Sequence, residues 1–360
     1  MKRIGLLVVV TGSVAIMSAL TFTTVHAVQH NESPKEALVQ APKAAVEAVS
    51  RSLHKLAAEV KPSGADKEPV SLEFAVPETS NTTTVDTNSE PDPASLGIAY
   101  ANAKIFEVMR SGRLINSFDT FADAVTFAKT QPDATIVYKS QNAVVWTAGS
   151  HGSGAAHIDV PLTLQMPELE RGCEVTSLAM LLEAAGVQAD KMTLAQQVKK
   201  DPTPFEMKDG QRYFGDPNNG FVGDIETFDN PGYGVYHGPI KELADQYLPG
   251  RAIDLTGADF TDMLSFLDLG SPIWTIVNTD YEALSDDEFE QWISPDGPVN
   301  ITYKEHSVLV TGYDDEYIYI NDPLNETDKV DKDSFIAAWE QMGKQAISYV
   351  PKLESKAGKT

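Results

Sequence analysis

Residues 164–182 read LQMPELERGCEVTSLAMLL, and they contain Cys173, the single cysteine among 360 residues. Leu178, Leu181 and Leu182 recur at helical spacing, which predicts a helix that begins at Cys173. A helix N-terminus offers unpaired backbone N–H groups and the positive end of the helix dipole, and both lower the pKa of a thiol. The stretch therefore indicates a nucleophilic cysteine, with a small buried core cysteine as the structural alternative.

The N-terminus has the pattern of an export signal. A basic Met1-Lys2-Arg3 precedes an apolar run from Ile4 to Leu20, and Val25-His26-Ala27 resembles a cleavage site. We predict a signal peptide over residues 1–27, or a signal anchor, because the apolar run is nearly long enough to span a bilayer. The expected location is secreted or at the cell surface, where a single cysteine indicates a reactive thiol and not a disulfide scaffold.

The chain is strongly acidic, with 28 basic and 52 acidic residues and a formal charge of −24. Nucleic acid is excluded as a partner because phosphate binding needs a basic face. The same charge disfavours adhesion to anionic lipid, so membrane contact is expected only through an uncleaved N-terminal anchor.

Composition and periodicity divide the rest of the chain into four segments. Residues 28–94 have linker composition and are predicted to be a flexible spacer. Residues 95–150 read as a small α+β accessory unit, and 353–360 as a tail. In residues 151–352 helical patterns come first and strand patterns follow, which predicts an α+β domain with a helical half and an antiparallel sheet half.

A thiol nucleophile needs a base and a group that orients the base. His306 opens a predicted strand over 306–313, and a second strand over 317–321 returns antiparallel and ends at Asp322. The hairpin is expected to bring Asp322 beside His306. Taken singly, His306 is better read as a strand histidine and Asp322 as a turn aspartate, but their conjunction with Cys173 favours a triad.

Two further residues are candidates for the reaction. Gln165 lies upstream of Cys173, and its amide is a candidate oxyanion donor together with the Cys173 N–H. His237 is a weaker candidate base, since nothing in the sequence orients it.

The catalytic candidates belong to a set of motifs that occur in order along residues 158–349. The motifs are Gln165-x-Pro167, Gly172-Cys173-Glu174-x-Thr176-Ser177-Leu178-Ala179-Met180-Leu181-Leu182, Gly215-Asp216-Pro217, Phe221-Val222-Gly223-Asp224, Gly232-Tyr233-Gly234-Val235-Tyr236, Pro272-Ile273-Trp274, Glu305-His306-Ser307-Val308-Leu309-Val310-Thr311-Gly312-Tyr313 and Asn321-Asp322-Pro323. This pattern resembles the bacterial secreted proteins related to the double-glycine leader peptidases, a papain-like cysteine peptidase group.

The resemblance implies a papain-like fold with Cys173 as nucleophile, His306 as base, Asp322 as the orienting carboxylate and Gln165 as oxyanion donor. It implies no cofactor and no metal. The accessory unit is also similar to a region found upstream in such proteins. The leader peptidases proper are fused to membrane transporters, so the resemblance does not extend to cleavage after a double glycine.

Residues 201–236 are rich in Gly, Pro, Asp and aromatic residues and are predicted to form a loop that lines or crosses a cleft. Asp216, Asp224, Tyr233 and Tyr236 are candidate substrate-binding residues, or they bond the loop to itself. The acidic residues do not have the spacing of an EF-hand calcium loop, and no metal is predicted.

The expected function is that of an exported cysteine peptidase acting on a peptide or cell-wall peptide. One alternative is a cell-wall peptide amidase or acyltransferase, because the same residues serve any amide. The other is a surface binding module without turnover.

Overall fold

The computed structural model describes residues 104–150, 152 and 154–352. The predicted signal peptide, the spacer and the C-terminal tail all lie outside these residues, and their boundaries stay predictions. Among the residues described, none of the helices is both long and apolar enough to cross a membrane.

The first part of the described chain is a four-stranded antiparallel sheet with one helix. The strands follow the order β2-β1-β3-β4. β1 and β2 form an antiparallel hairpin, and Thr120 begins the helix by accepting a hydrogen bond from the Asp123 N–H. The elements are β1 (Phe106–Arg110), β2 (Arg113–Phe118), α1 (Phe121–Ala128), β3 (Ala134–Tyr138) and β4 (Ala143–Thr147).

This part shares a hydrophobic core with the residues that follow. Phe121 meets Phe266 edge to face, with ring centroids 5.4 Å apart. The Trp146 indole N–H donates to the Asp262 carboxylate over 3.2 Å. Apolar packing and a buried hydrogen bond therefore join the predicted accessory unit to the helix that contains Phe266.

The helices of the larger part pack around α2. Every residue from Cys173 to Leu182 is buried, including the polar Glu174, Thr176 and Ser177, because other elements surround this part of the helix. Asp190 caps the start of α3 by accepting hydrogen bonds from the N–H groups of Met192 and Thr193. The helices are α2 (Cys173–Ala184), α3 (Lys191–Gln197), α4 (His237–Tyr247), α5 (Phe260–Asp268) and α6 (Lys332–Gln341).

An antiparallel sheet in the order β10-β17-β11-β14-β15-β16 forms the second half, and the short β5 pairs with β14. Both faces are covered: Trp274 and Leu309 pack with the residues of α2, and Val308 and Val310 pack with those of α5. The strands are β5 (Ala156–His157), β10 (Ala252–Asp254), β11 (Ile273–Asn278), β14 (Glu305–Tyr313), β15 (Tyr317–Asn321), β16 (Lys329–Asp331) and β17 (Ala346–Tyr349). The predicted α+β class, with a helical half and a sheet half, is confirmed.

The segment read as a loop contains strands that the sequence analysis missed. β7 and β8 join a hairpin from residues 290–301 in a sheet ordered β13-β12-β8-β7, around a core that includes Trp292 and Tyr233. Each of these two strands has three residues, too few to show a period, and β12 lies far along the chain. The added strands are β6 (Lys200–Asp201), β7 (Glu206–Lys208), β8 (Gln211–Tyr213), β9 (Phe221–Val222), β12 (Glu290–Ser294) and β13 (Gly297–Ile301).

We predict that Phe266→Ala lowers the free energy of unfolding by about 3–5 kcal/mol, because it removes a fully buried ring between α1 and α5. Leu269→Ala, at a position that is 41% exposed, serves as the control and should change it by less than about 0.5 kcal/mol. Urea unfolding followed by fluorescence checks both. A Phe266→Ala loss as small as that of the control would contradict the shared core.

Candidate active site

Cys173 is the first residue of α2, as the sequence predicts. Gly172 precedes Cys173, and the backbone of Gly172 lies against the Leu169 side chain. A Cβ at position 172 would lie 2.4 Å from the Leu169 Cβ. The helix start is held from the sheet side, since the Trp274 indole N–H donates to the Glu174 carbonyl over 2.9 Å. Residue 172 therefore has to be glycine for the chain to enter α2 in this way.

The thiol lies in a buried and negatively charged environment. Burial raises the pKa of Cys173 well above its ordinary value, and the Glu174 and Glu305 carboxylates raise it further. The Ser307 N–H acts in the opposite direction. The expectation that the helix start lowers this pKa was wrong, because loss of water and two acidic neighbours outweigh the helix dipole.

His306 and Asp322 form a buried pair. His306 Nε2 lies 2.8 Å from Asp322 Oδ1, and the side chains are 3% and 0% exposed. The N–H groups of Leu324 and Glu326 donate to the same carboxylate over 2.8 and 3.0 Å. Burial disfavours the charged carboxylate, but the bonds from His306 and from these N–H groups outweigh it and hold the pKa of Asp322 below its ordinary value.

The predicted hairpin accounts for this pairing. β14 and β15 are antiparallel with Leu309 opposite Asn321, so the residue after Asn321 reaches back toward the start of β14. Pro323 ends the strand there, as a residue without an N–H would. Because Nε2 is bound to Asp322, Nδ1 is the imidazole nitrogen left to exchange a proton.

The cysteine and the histidine come together because α2 packs on β14. Ser177 Oγ donates to the Ser307 carbonyl over 3.0 Å, and the Ser307 N–H acts on the thiol. Cys173 therefore lies beside the residue that follows His306. Within the described residues, no hydrogen bond joins the thiol to the imidazole itself; the Cys173 thiol donates to Glu174 Oε2 over 3.4 Å.

Gln165 lies next to the same end of the hairpin. Its backbone N–H donates to the Pro323 carbonyl over 3.0 Å. Its side-chain amide donates to the carbonyls of Leu169 and Glu170 over 3.2 and 3.1 Å. Both amide hydrogens are thus engaged in the turn before α2, and the role of oxyanion donor stays a prediction.

The site contains two glutamates that the sequence analysis did not identify. Glu174 is 0% exposed, and its Oε1 accepts a hydrogen bond from the Val235 N–H over 2.7 Å. Burial raises the pKa of Glu174 to about 7. Burial and the neighbouring Glu174 raise that of Glu305 well above its ordinary value. Each glutamate is adjacent in sequence to a catalytic candidate, Cys173 or His306, and this adjacency was the available signal.

The Cys173 thiol and the two carboxylates lie within 4.8 Å of one another. Both Glu174 oxygens already accept hydrogen bonds, one from the thiol and one from the Val235 N–H. We therefore describe the group as a cluster of protonatable side chains and assign no metal ligands to it.

The candidate substrate-binding residues make contacts within their own segment. Asp216 accepts from the N–H and side chain of Asn218, and Asp224 accepts from the Glu226 N–H and the Asn230 side chain. The hydroxyls of Tyr233 and Tyr236 lie 3.1 Å apart. These contacts bond the segment to itself, and a role for the four residues in substrate binding stays a prediction.

His237 does have an orienting carboxylate, contrary to the sequence analysis. Its Nδ1 lies 2.8 Å from Asp254 Oδ2. It lines a pocket of 360 Å³ whose walls include Tyr236, Phe289 and Gln345. The carboxylate comes from β10, a short strand that the periodicity did not reveal.

We predict that Asp322→Asn lowers the free energy of unfolding near pH 6 by about 1.5–3 kcal/mol, the range for a hydrogen bond to a charged group. A carboxyl whose pKa is lower in the folded than in the unfolded state stabilises the protein at pH values above its pKa in the unfolded state. The difference from wild type should therefore shrink as pH falls below 3.8, through the folded pKa of Asp322. Urea unfolding at several pH values checks this, with the exposed Asp315→Asn as control. A difference independent of pH would contradict the charge-based account.

Comparison with known proteins places this geometry in a family. The Peptidase C39-like family matches residues 157–347. The uncharacterized protein YvpB of Bacillus subtilis strain 168 is 46% identical over 196 residues, which are 54% of this chain and 75% of YvpB.

A crystal structure of a candidate C39-like peptidase from Bacillus anthracis is 49% identical, with a TM-score of 0.52. The match covers 56% of this chain and 99% of that one. The motifs in residues 158–349, the helical and sheet halves and the extent of the family match lead to one conclusion: the chain belongs to the Peptidase C39-like family.

Proposed function

We propose that this protein is an exported cysteine peptidase that cleaves peptide bonds through Cys173, His306 and Asp322. Membership of the Peptidase C39-like family indicates a cysteine peptidase. The observation that carries the assignment of residues is the buried His306–Asp322 pair, which lies one residue from the Ser307 N–H that acts on the single cysteine. These are the base and orienting group that a thiol nucleophile needs.

The proposed reaction proceeds in two halves. The Cys173 thiol gives its proton to His306 Nδ1, and the sulfur attacks the substrate carbonyl carbon. The tetrahedral intermediate collapses when the imidazolium protonates the leaving amine, so the C–N bond breaks and a thioester remains. Water, deprotonated by His306, then attacks the thioester carbon; the C–S bond breaks, the carboxylic acid product leaves, and the imidazolium returns the proton to the sulfur. Asp322 keeps the imidazole in one orientation throughout.

The environment of the thiol determines how this reaction begins. Burial and two acidic neighbours raise the pKa of Cys173 well above its ordinary value, so a free thiolate is disfavoured. Proton transfer to His306 therefore accompanies the attack. The Cys173 N–H at the start of α2, and Gln165 if its amide turns from the Leu169 and Glu170 carbonyls, are the proposed oxyanion donors.

The proposed substrate is a peptide or cell-wall peptide outside the cytoplasm. This follows from the predicted signal peptide over residues 1–27, which would leave the protein secreted or at the cell surface. An amidase or acyltransferase would use the same three residues. The strongly raised pKa of the thiol is the one observation that favours a binding module without turnover.

We predict that the chain lacking residues 1–27 cleaves components of a mixed peptide library, and that Cys173→Ala and His306→Ala lower the rate at least about a thousandfold. His237→Ala is the matched control, because His237 also has a carboxylate partner, Asp254. His237→Ala should retain a rate within about threefold of wild type, because the substitution leaves the three proposed catalytic residues unchanged. Mass spectrometry of the products gives rates and cut sites.

Purified peptidoglycan is assayed in parallel. Cleavage of peptidoglycan alone, dependent on Cys173, would replace the peptidase by an amidase. Hydrolysis of neither substrate, or hydrolysis that survives Cys173→Ala, would contradict the proposal.

A further inference from the structure

Two glutamates flank the proposed nucleophile, and they come from different elements. Glu174 follows Cys173 in the first turn of α2, and Glu305 precedes His306 at the start of β14. One oxygen of each carboxyl and the Cys173 sulfur all lie within 4.8 Å of one another. The packing of α2 on β14 therefore places two carboxyl groups beside the Cys173 thiol, in addition to bringing Cys173 close to His306.

A tight segment covers the two carboxyls. A Cβ added at Gly234 would lie 2.4 Å from Glu174 Oε1 and 3.0 Å from Glu305 Oε2. The next residue, Val235, donates its N–H to Glu174 Oε1 over 2.7 Å. Only a glycine leaves both carboxyls in place, so the backbone of residues 232–236 encloses the pair.

Glu174 and Glu305 accept too few hydrogen bonds to stabilise two negative charges. Glu305 Oε1 is buried and accepts no hydrogen bond from any described residue. Two ionised carboxylates this close, in a site with little water, repel each other, and each lacks the solvation it would have outside. The stable arrangement at neutral pH retains a proton, as in other carboxyl pairs that titrate as one unit.

We propose that Glu174 and Glu305 are positioning residues of the reaction. They form a carboxyl pair that shares one proton, and the charge of this pair determines how readily the Cys173 thiol ionises. This rests on the proposed function only in naming Cys173 as the nucleophile. While the proton is held, the pair carries one negative charge and its hydroxyl can donate within the cluster. When the proton leaves, the pair carries two charges beside the sulfur and opposes formation of the thiolate.

The other titratable groups that face the cluster do not supply the positive charge that would neutralise the pair in place of this proton. Burial raises the pKa of Tyr233 and of Tyr236, so both phenols stay neutral, and burial lowers that of Lys200, the cation whose charge acts on Glu174. The groups that face the cluster are Lys200 from β6, Tyr233 and Tyr236 from the covering segment, Tyr281 from the loop after β11, His306 from β14 and Asp322 beyond β15.

The test measures the rate at which iodoacetamide alkylates Cys173 as a function of pH, on the full chain. Glu305→Gln removes one of the two charges that appear when the pair ionises. We expect the apparent thiol pKa to fall by about one unit or more, so that alkylation at about pH 8 is roughly tenfold faster than in wild type. Glu174→Gln should shift the profile in the same direction.

The matched control is Glu183→Gln, an exposed position on the same helix, ten residues beyond Cys173. It replaces the same carboxyl by the same amide, away from the thiol, and should leave the alkylation profile unchanged. Alkylation requires no turnover, so it reports on the pair even if the peptidase proposal fails. Equal profiles for wild type and both Gln variants would overturn the inference.

A second measurement detects the retained proton directly, first in the wild-type protein. Infrared spectroscopy of wild type should show a protonated carboxyl band that persists above about pH 6, where an isolated glutamate is ionised. Gly234→Ala, whose methyl group would separate the pair, should remove the band, and Gly238→Ala, with its nearest neighbour at 3.6 Å, should retain it. A wild-type protein without the band would contradict the shared proton.

Discussion

The packing of the start of α2 against β14 is the contact on which the rest of the site depends. Cys173 and His306 belong to elements separated by more than a hundred residues, and only this contact brings them close. It is made by buried groups: Ser177 donates to the Ser307 carbonyl, and the Trp274 indole donates to the Glu174 carbonyl. Because every residue of α2 from Cys173 to Leu182 is buried, the helix cannot shift along the sheet without opening cavities.

The same burial determines the electrostatics of the site. At the histidine, Asp322 receives enough hydrogen bonds to stay charged, and its bond to Nε2 fixes the orientation of the His306 imidazole. At the cysteine, burial and the Glu174–Glu305 pair oppose a negative charge. The proposed resting state is thus a neutral thiol beside an oriented imidazole, and the ion pair forms as the substrate is attacked. This arrangement restrains the proposed nucleophile until a carbonyl is present.

Features carried by local pattern could be predicted from sequence. α2, β14 and β15 are long or strongly apolar, and the hairpin turn between the two strands fixes the neighbourhood of Asp322, so the His306–Asp322 pair followed from local rules. The family followed from motifs in order. Features that depend on contacts distant in sequence were missed: β7 and β8, whose partner strand begins at residue 290, and the partnership of His237 with Asp254.

Charge and side-chain direction were the least predictable. The helix-dipole argument for Cys173 considered α2 alone, whereas the acid opposite it, Glu305, comes from β14. Gln165 was placed near the right turn, but its amide bonds the Leu169 and Glu170 carbonyls of that turn. Neither the raised pKa of Cys173 nor the hydrogen bonds of the Gln165 amide could be predicted from residue spacing. Each depends on which groups lose water when the helical half packs on the sheet half.

Trapping of the covalent intermediate tests the central claim most directly. The chain is mixed with an activated peptide ester, quenched in acid during turnover and digested, and the fragments are weighed by mass spectrometry. Since Cys173 is the only cysteine, a thioester can form at one position only. The account predicts an acyl group on the fragment that contains Cys173, and its failure to accumulate in His306→Ala. Turnover of the ester with the acyl group on another residue, or with none on Cys173 under any quench time, would contradict it.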